Sequence, residues 1–162
     1  MTGTDGFDDF YQAAFARLAA QVYLVTGDLH EAEDVVQEAM ARASVRWQRL
    51  RDYDLPEAWV RRVAMNLATD QRRRVRRRVA LLARIGPSPQ VPALSVDRVA
   101  VVEALATLPR SYRQAVVLHH LLGLPVKEVA KQLRVPVGTV KARLARARRA
   151  LAKQLDASIQ EV

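Results

Sequence analysis

The segment Gly86-Pro87-Ser88-Pro89-Gln90-Val91-Pro92 divides this chain in two. Its three prolines within six residues lack the N–H a helix needs, and their rings fix φ, so no helix continues through them. On both sides of the break the apolar pattern is helical. The expected fold is all-α: two small helical domains, residues 1–84 and 98–162, joined by a Pro-rich linker over 85–97. Domains of that size bury modest cores and depend on tight helix packing.

The helices can be placed from period and caps. Phe7, Tyr11, Ala14, Phe15, Leu18, Val22 and Val25 repeat at about 3.6 residues and predict a helix over 7–25, ended by Gly27. Asp28, with Glu31 three residues on, resembles a capping box. The next helix carries Ala32, Val35, Val36, Ala39, Met40, Ala43 and Trp47 on one face. Residues 51–57 read as a loop, and Pro56 opens a third helix. There Val60, Val63, Ala64 and Leu67 form the expected buried stripe, and the helix is expected to run through Asn66 and Asp70 into a basic run over 72–78. In the second half, Val99, Val102, Leu105 and Ala106 mark a helix ended by Pro109. Tyr112, Ala115, Val116, Leu118 and Leu122 mark another, stopped by Gly123. Pro125 opens a short helix over 126–133, and a long one is expected over 137–155.

Charge is distributed unevenly. Residues 1–60 hold 5 basic and 11 acidic groups, net −6; residues 61–84 hold 9 and 1, net +8; residues 109–162 hold 11 and 3, net +8. Two basic blocks point to two contacts with a polyanion, and an acidic first third points to a different partner. Arginine outnumbers lysine 22 to 4, which suits phosphate recognition; a GC-rich genome would produce the same bias. The absence of cysteine excludes disulfides, thiolate zinc sites and a cysteine nucleophile. The polar N-terminus carries no secretory signal, and no apolar run approaches the roughly 18 residues of a membrane span. A soluble cytoplasmic protein with no membrane insertion is expected.

Residues 126–145 have helix-turn-helix spacing. The glycine common in such turns is replaced by Arg134; a left-handed arginine there would carry strain of about 1 kcal/mol. At 100° per residue, Val140, Leu144, Ala147 and Leu151 of the second helix fall in one narrow arc and face the core. The opposite arc holds Ala142, Ala145, Arg146 and Arg149, flanked by Lys141. Two alanines allow close approach to a duplex, and the arginines can reach guanine edges or phosphates. Arg143 and Thr139 lie nearer the sides and suit phosphates.

Other candidate sites are weak. Glu31, Glu33, Asp34 and Glu38 are ligands that would suit Mg²⁺, but Asp34 and Glu38 share a solvent face with Gln37 and Arg42, and nothing converges on them. That pattern fits an acidic docking surface. His30, His119 and His120 are too scattered for acid–base or metal chemistry. No Gly-rich phosphate loop or Ser/His/Asp arrangement is present, so no cofactor is expected.

The chain resembles bacterial group IV sigma factors, the extracytoplasmic-function (ECF) type, over nearly its whole length. Asp28-x-x-x-Ala32-Glu33-Asp34-Val35-Val36-Gln37-Glu38 is similar to that family's core-polymerase-binding helix. Residues 59–74 are similar to its promoter-melting and −10-reading helix. Leu108-Pro109-x-x-x-Arg113 and Pro136-Val137-Gly138-Thr139-Val140-Lys141-x-Arg143-Leu144-x-Arg146-Ala147-Arg148 are similar to its −35-reading domain. The resemblance implies core polymerase binding through Asp34, Gln37, Glu38 and Arg42. It implies −10 recognition through Tyr53, Asn66, Asp70, Arg73 and Arg74, and −35 recognition through Thr139, Lys141, Ala142, Arg143, Ala145, Arg146 and Arg149. Core RNA polymerase, promoter DNA and an anti-sigma factor are the implied partners. Two alternatives remain open: an autonomous helix-turn-helix regulator, although no dimerisation helix is evident, and a Mg²⁺-dependent nucleic-acid enzyme.

Overall fold

The computed structural model describes residues 6–70 and 96–160, all of whose regular structure is helical. The helices form two compact units, Met1–Ala93 and Leu94–Val162. The expected basic run, with Arg73 and Arg74, and the expected linker as far as residue 95 lie outside the described residues; the last two linker positions, Val96 and Asp97, open a helix.

Unit 1 contains α1 (Phe7–Thr26), α2 (Leu29–Val45), the short α3 (Trp47–Leu50) and α4 (Pro56–Thr69). Gly27 terminates α1 with φ 70°, donating its N–H to the Tyr23 carbonyl. Asp28 then caps α2 by accepting from the Glu31 N–H at 2.9 Å. Leu18, Val22 and Val25 of α1, Val35, Val36 and Met40 of α2, and Val60 and Met65 of α4 are almost fully buried. At about 1.5–3 kcal/mol for each large aliphatic side chain, this shared core is what holds three short helices together. A second apolar cluster ties the start of α1 to α3. The Trp47 ring stacks on Phe10 at 5.0 Å and meets the edge of Phe7 at 5.4 Å.

The structure corrects the sequence pattern at three places in this unit. Trp47 is buried but does not belong to α2, because the backbone leaves the helix at Arg46 (φ −107°, ψ 11°). Met65 enters the core while Val63 is only half-buried, because α1 and α2 both pack against α4 and rotate its buried stripe. The third helix stops at Thr69: Asp70 is extended (ψ 113°), its N–H bonds Leu67, and the Thr69 hydroxyl bonds the Asn66 carbonyl. Such side-chain bonds compete with helix continuation.

Unit 2 contains α5 (Val96–Ala106), α6 (Arg110–Val116), α7 (Val126–Leu133) and α8 (Val137–Gln160). Its core is Leu105, Leu108, Ala115, Val117, Leu118, Val129, Leu133, Val140, Leu144 and Ala147. Val99 and Ala106, two of the four residues that mark this helix in the sequence, are exposed; α5 buries only a narrow stripe at Val102 and Leu105. Arg113 explains much of the Leu108-Pro109-x-x-x-Arg113 pattern. Its Nε donates to the Leu108 carbonyl at 2.7 Å and its Nη2 to that of Ala106 at 3.1 Å, satisfying carbonyls at the end of α5.

After α6 the chain widens into a π-helical turn, Val117–Leu121, closed by the Leu122 N–H on the Val117 carbonyl. The pattern at 3.6 residues did not announce it, and Leu122 ends half-buried. The helix α8 runs five residues past its expected end. Just before that expected end Gln154 donates to the Thr107 hydroxyl, tying α8 to the residues after α5, while Leu151 is half-buried.

Candidate functional site

Three side-chain groups follow from this framework. The first lies on α2, whose buried stripe leaves Asp34 and Glu38 half-buried and Gln37 and Arg42 exposed on the other face. These side chains are already engaged. Arg42 pairs with Glu38 at 2.6 Å, an i,i+4 pair, and Gln37 accepts from the Tyr11 hydroxyl at 2.6 Å. Burial raises the Tyr11 phenol above its ordinary value, Gln37 opposes that shift, and the nearby Glu33 adds to it. The phenol therefore remains a donor at neutral pH. Glu31, whose N–H bonds the Asp28 carboxylate, is buried and does not share this face.

The second group runs along α4 from the 51–55 loop to just past its C-terminal end. Tyr53 stands on the 51–55 loop with 54% of its surface exposed, and Leu55 beside it is also exposed. Trp59 and Asn66 are half-buried and Asp70 is exposed. Residues 59 and 66 share one face of α4, by their spacing of seven, and Asp70 follows just beyond the helix end. The loop is anchored from behind. Arg17 of α1 forms a two-pronged ion pair with Glu57, Nε to Oε1 at 2.8 Å and Nη2 to Oε2 at 2.5 Å. Glu57 raises the Arg17 guanidinium in return, whereas burial lowers that of Arg61, against the pull of Glu57. One member of this surface was missed from sequence: the Arg46 guanidinium lies 5.8 Å above the Trp59 ring. Its signal was present only as a lone cation at the end of α2.

The third group is on α8. Val140, Leu144 and Ala147 are buried, whereas Lys141, Ala142, Ala145, Arg146 and Arg149 are exposed. Thr139 and Arg143 are half-buried at the flanks. Arg146 Nη1 lies 3.3 Å from the Tyr112 hydroxyl of α6, so this guanidinium is held against a neighbouring helix. The α7–α8 turn is a Schellman closure, with the Val135 N–H on Ala130 and the Arg134 N–H on Lys131. Arg134 occupies the position that favours glycine, with φ 54° and ψ 46°. The turn is thus built by its hydrogen bonds despite the side chain. Lys127, Lys131 and Arg134 line a shallow cleft there with Val135 and Val137.

An all-helical pair of units, the second a helix-turn-helix with a basic exposed arc, has the form of a DNA-binding protein. The sequence matches the model of Sigma-70 region 2 over residues 10–78 and of Sigma-70, region 4 over residues 98–151. It is 31% identical to the ECF RNA polymerase sigma factor SigW of Bacillus subtilis, covering 93% of this chain and 89% of that protein. It is 29% identical to the RNA polymerase sigma-E factor of Streptomyces coelicolor, covering 93% and 86%. Among solved structures, the sigma factor RpoE of Bartonella quintana, in complex with the anti-sigma factor NepR, aligns with TM-score 0.67 and 25% identity over 94% of this chain and 98% of that one. CnrH, in complex with the cytosolic domain of CnrY, aligns with TM-score 0.63 and 26% identity over 96% and 90%. The chain belongs to the ECF RNA polymerase sigma factor family, and its function is to direct RNA polymerase to promoters.

Proposed function

We propose a division of that function between the two units. Unit 1 binds core polymerase through Asp34, Gln37, Glu38 and Arg42 of α2. It reads the opened −10 element through Tyr53, Asn66 and Asp70, joined by Arg73 and Arg74 beyond the described residues. Tyr53, exposed on an anchored loop, stacks on an unpaired base, worth roughly 1–3 kcal/mol. Unit 2 reads the −35 duplex with α8: Arg146 and Arg149 nearest the bases, Lys141 at the flank, Ala142 and Ala145 giving room, and Thr139 and Arg143 on phosphates. Catalysis belongs to the polymerase, and the site of action is the cytoplasm, where the polymerase is. The solved relative RpoE, captured with the anti-sigma factor NepR, supports an anti-sigma factor as a further partner.

The observation that carries this reading is the opposition on α8 between the buried Val140, Leu144 and Ala147 and the exposed basic arc. The test of the docking face is reversal of charge at Asp34 and Glu38 together. Core polymerase affinity is expected to fall by several kcal/mol, as like charges meet across an interface, with helical content intact. Unchanged affinity in the double variant removes α2 from the interface.

A further inference from the structure

Unit 1 carries few cations before residue 61, and most are neutralised. Arg17 is clamped by Glu57 at 2.5 Å, Arg42 pairs with Glu38 at 2.6 Å, and Arg51 lies 3.8 Å from Asp52. Among the described residues, Arg46 and Arg49 have no carboxylate partner. Arg46 is exposed and held over Trp59, beside Val45, of whose surface 87% is exposed. It also sits at a junction. Asp34, Glu38, Arg42 and Arg46 follow one another at intervals of four along α2 and its end, while Trp59 shares its helix face with Asn66.

We propose that Arg46 is a backbone contact for single-stranded DNA, oriented by the Trp59 ring, at the seam between the polymerase-docking stripe and the strand-reading face. This rests on the reading of the α4 face as that strand-reading surface. An arginine on an aromatic face keeps its outward N–H groups available, and the ring limits its rotamers without neutralising its charge. Aromatic groups interleaved with unpaired cations are the chemistry that tracks a single strand. A cation at the end of α2 also complements the helix dipole; that role alone accounts for neither the ring contact nor the position beside Trp59 and Asn66.

The experiment uses holoenzyme assembled from the full chain and core polymerase. The probe is a labelled single-stranded oligonucleotide selected from a random pool by the unmodified holoenzyme. Binding is measured across a salt series for Arg46→Ala, Arg46→Lys and Asn66→Ala, with core affinity and thermal unfolding measured alongside. Arg46→Ala is expected to weaken strand binding several-fold and to reduce the salt slope by about 0.7, one single-strand phosphate contact. Arg46→Lys is expected to restore the slope, with core affinity the same in all variants. An unchanged slope in Arg46→Ala while Asn66→Ala weakens binding overturns the assignment of Arg46 and leaves the strand-reading face standing. Loss of core affinity in place of strand affinity assigns Arg46 to the polymerase and overturns the proposal. If Asn66→Ala also leaves strand binding untouched, the face itself is wrong, and the role of Arg46 falls with it.

Discussion

The two units present charge in different ways. On the α2 face of unit 1 the polar side chains are satisfied within the unit, Tyr11 on Gln37 and Arg42 on Glu38, as is Arg17 on Glu57 behind the 51–55 loop. In unit 2, among the described residues, no ion pair engages a cation of α8; the one cross-helix bond from its basic arc runs from Arg146 to the Tyr112 hydroxyl. A surface paired within itself is pre-shaped and binds by complementarity. A surface of uncompensated guanidinium groups draws in a polyanion from a distance and is sensitive to salt. The contrast matches a protein partner for the α2 face and duplex DNA for α8.

The largest effect should come from exchanging the two faces of α8. Leu144, 5% exposed, is expected to cost about 2–5 kcal/mol of stability when replaced by alanine. Arg149→Ala on the opposite arc should stay within about 0.5 kcal/mol. Urea unfolding followed by circular dichroism compares them; similar losses would mean that α8 does not divide into a core face and a ligand face.

Next in size is the separation of readers. Arg146→Ala should relax preference at one −35 position by about 1–3 kcal/mol, whereas Arg143→Ala should weaken all sequences alike. Asn66→Ala should slow opening of duplex promoters more than it affects pre-melted ones. Transcription from promoter libraries reads all three. A −35 variant that shifts −10 preference would break the division between the units.

A smaller effect is expected at the turn. Arg134→Gly relieves left-handed strain but adds unfolded-state freedom, leaving a net gain of at most about 1 kcal/mol. Thermal unfolding measures it, and a clear loss would show that the Arg134 side chain holds the turn together.

The smallest concerns pH. Burial lowers the pKa of His120, with the neighbouring His119 and Arg148 adding to the shift. A folded pKa below the unfolded one means the unfolded chain binds the proton more tightly. The stability from neutral His120 is therefore present above pH 6.5 and is lost as pH falls through the folded value. His120→Gln should flatten this dependence in unit 2. An identical slope in the variant would place the titration elsewhere.

Most of the architecture was legible because helix period and caps are local. The Asp28–Glu31 cap, Gly27, Pro56, Gly123 and Pro125 mark ends through conformational preferences that need no distant partner. The helix-turn-helix could be read with Arg134 in place of glycine, because the spacing of apolar residues survives that exchange. The expected α8 arc follows from the same arithmetic, since 100° per residue separates Leu144 from Arg149 whatever lies nearby.

What the residues alone determined, then, is which segments are helical, where the glycine, proline and Asp28 boundaries fall and which face of each helix is apolar. Tertiary structure decided which apolar positions are used. Met65 is buried and Val99 is not, because burial depends on the helices that arrive on each side. It also decided where α4 stops, that α6 widens into a π-turn, and which charges are spent on one another. Arg17 meets Glu57 across forty residues and Arg46 meets Trp59 from another helix. Side-chain partnership of that kind depends on distance in space, and one-dimensional periodicity carries no information about it.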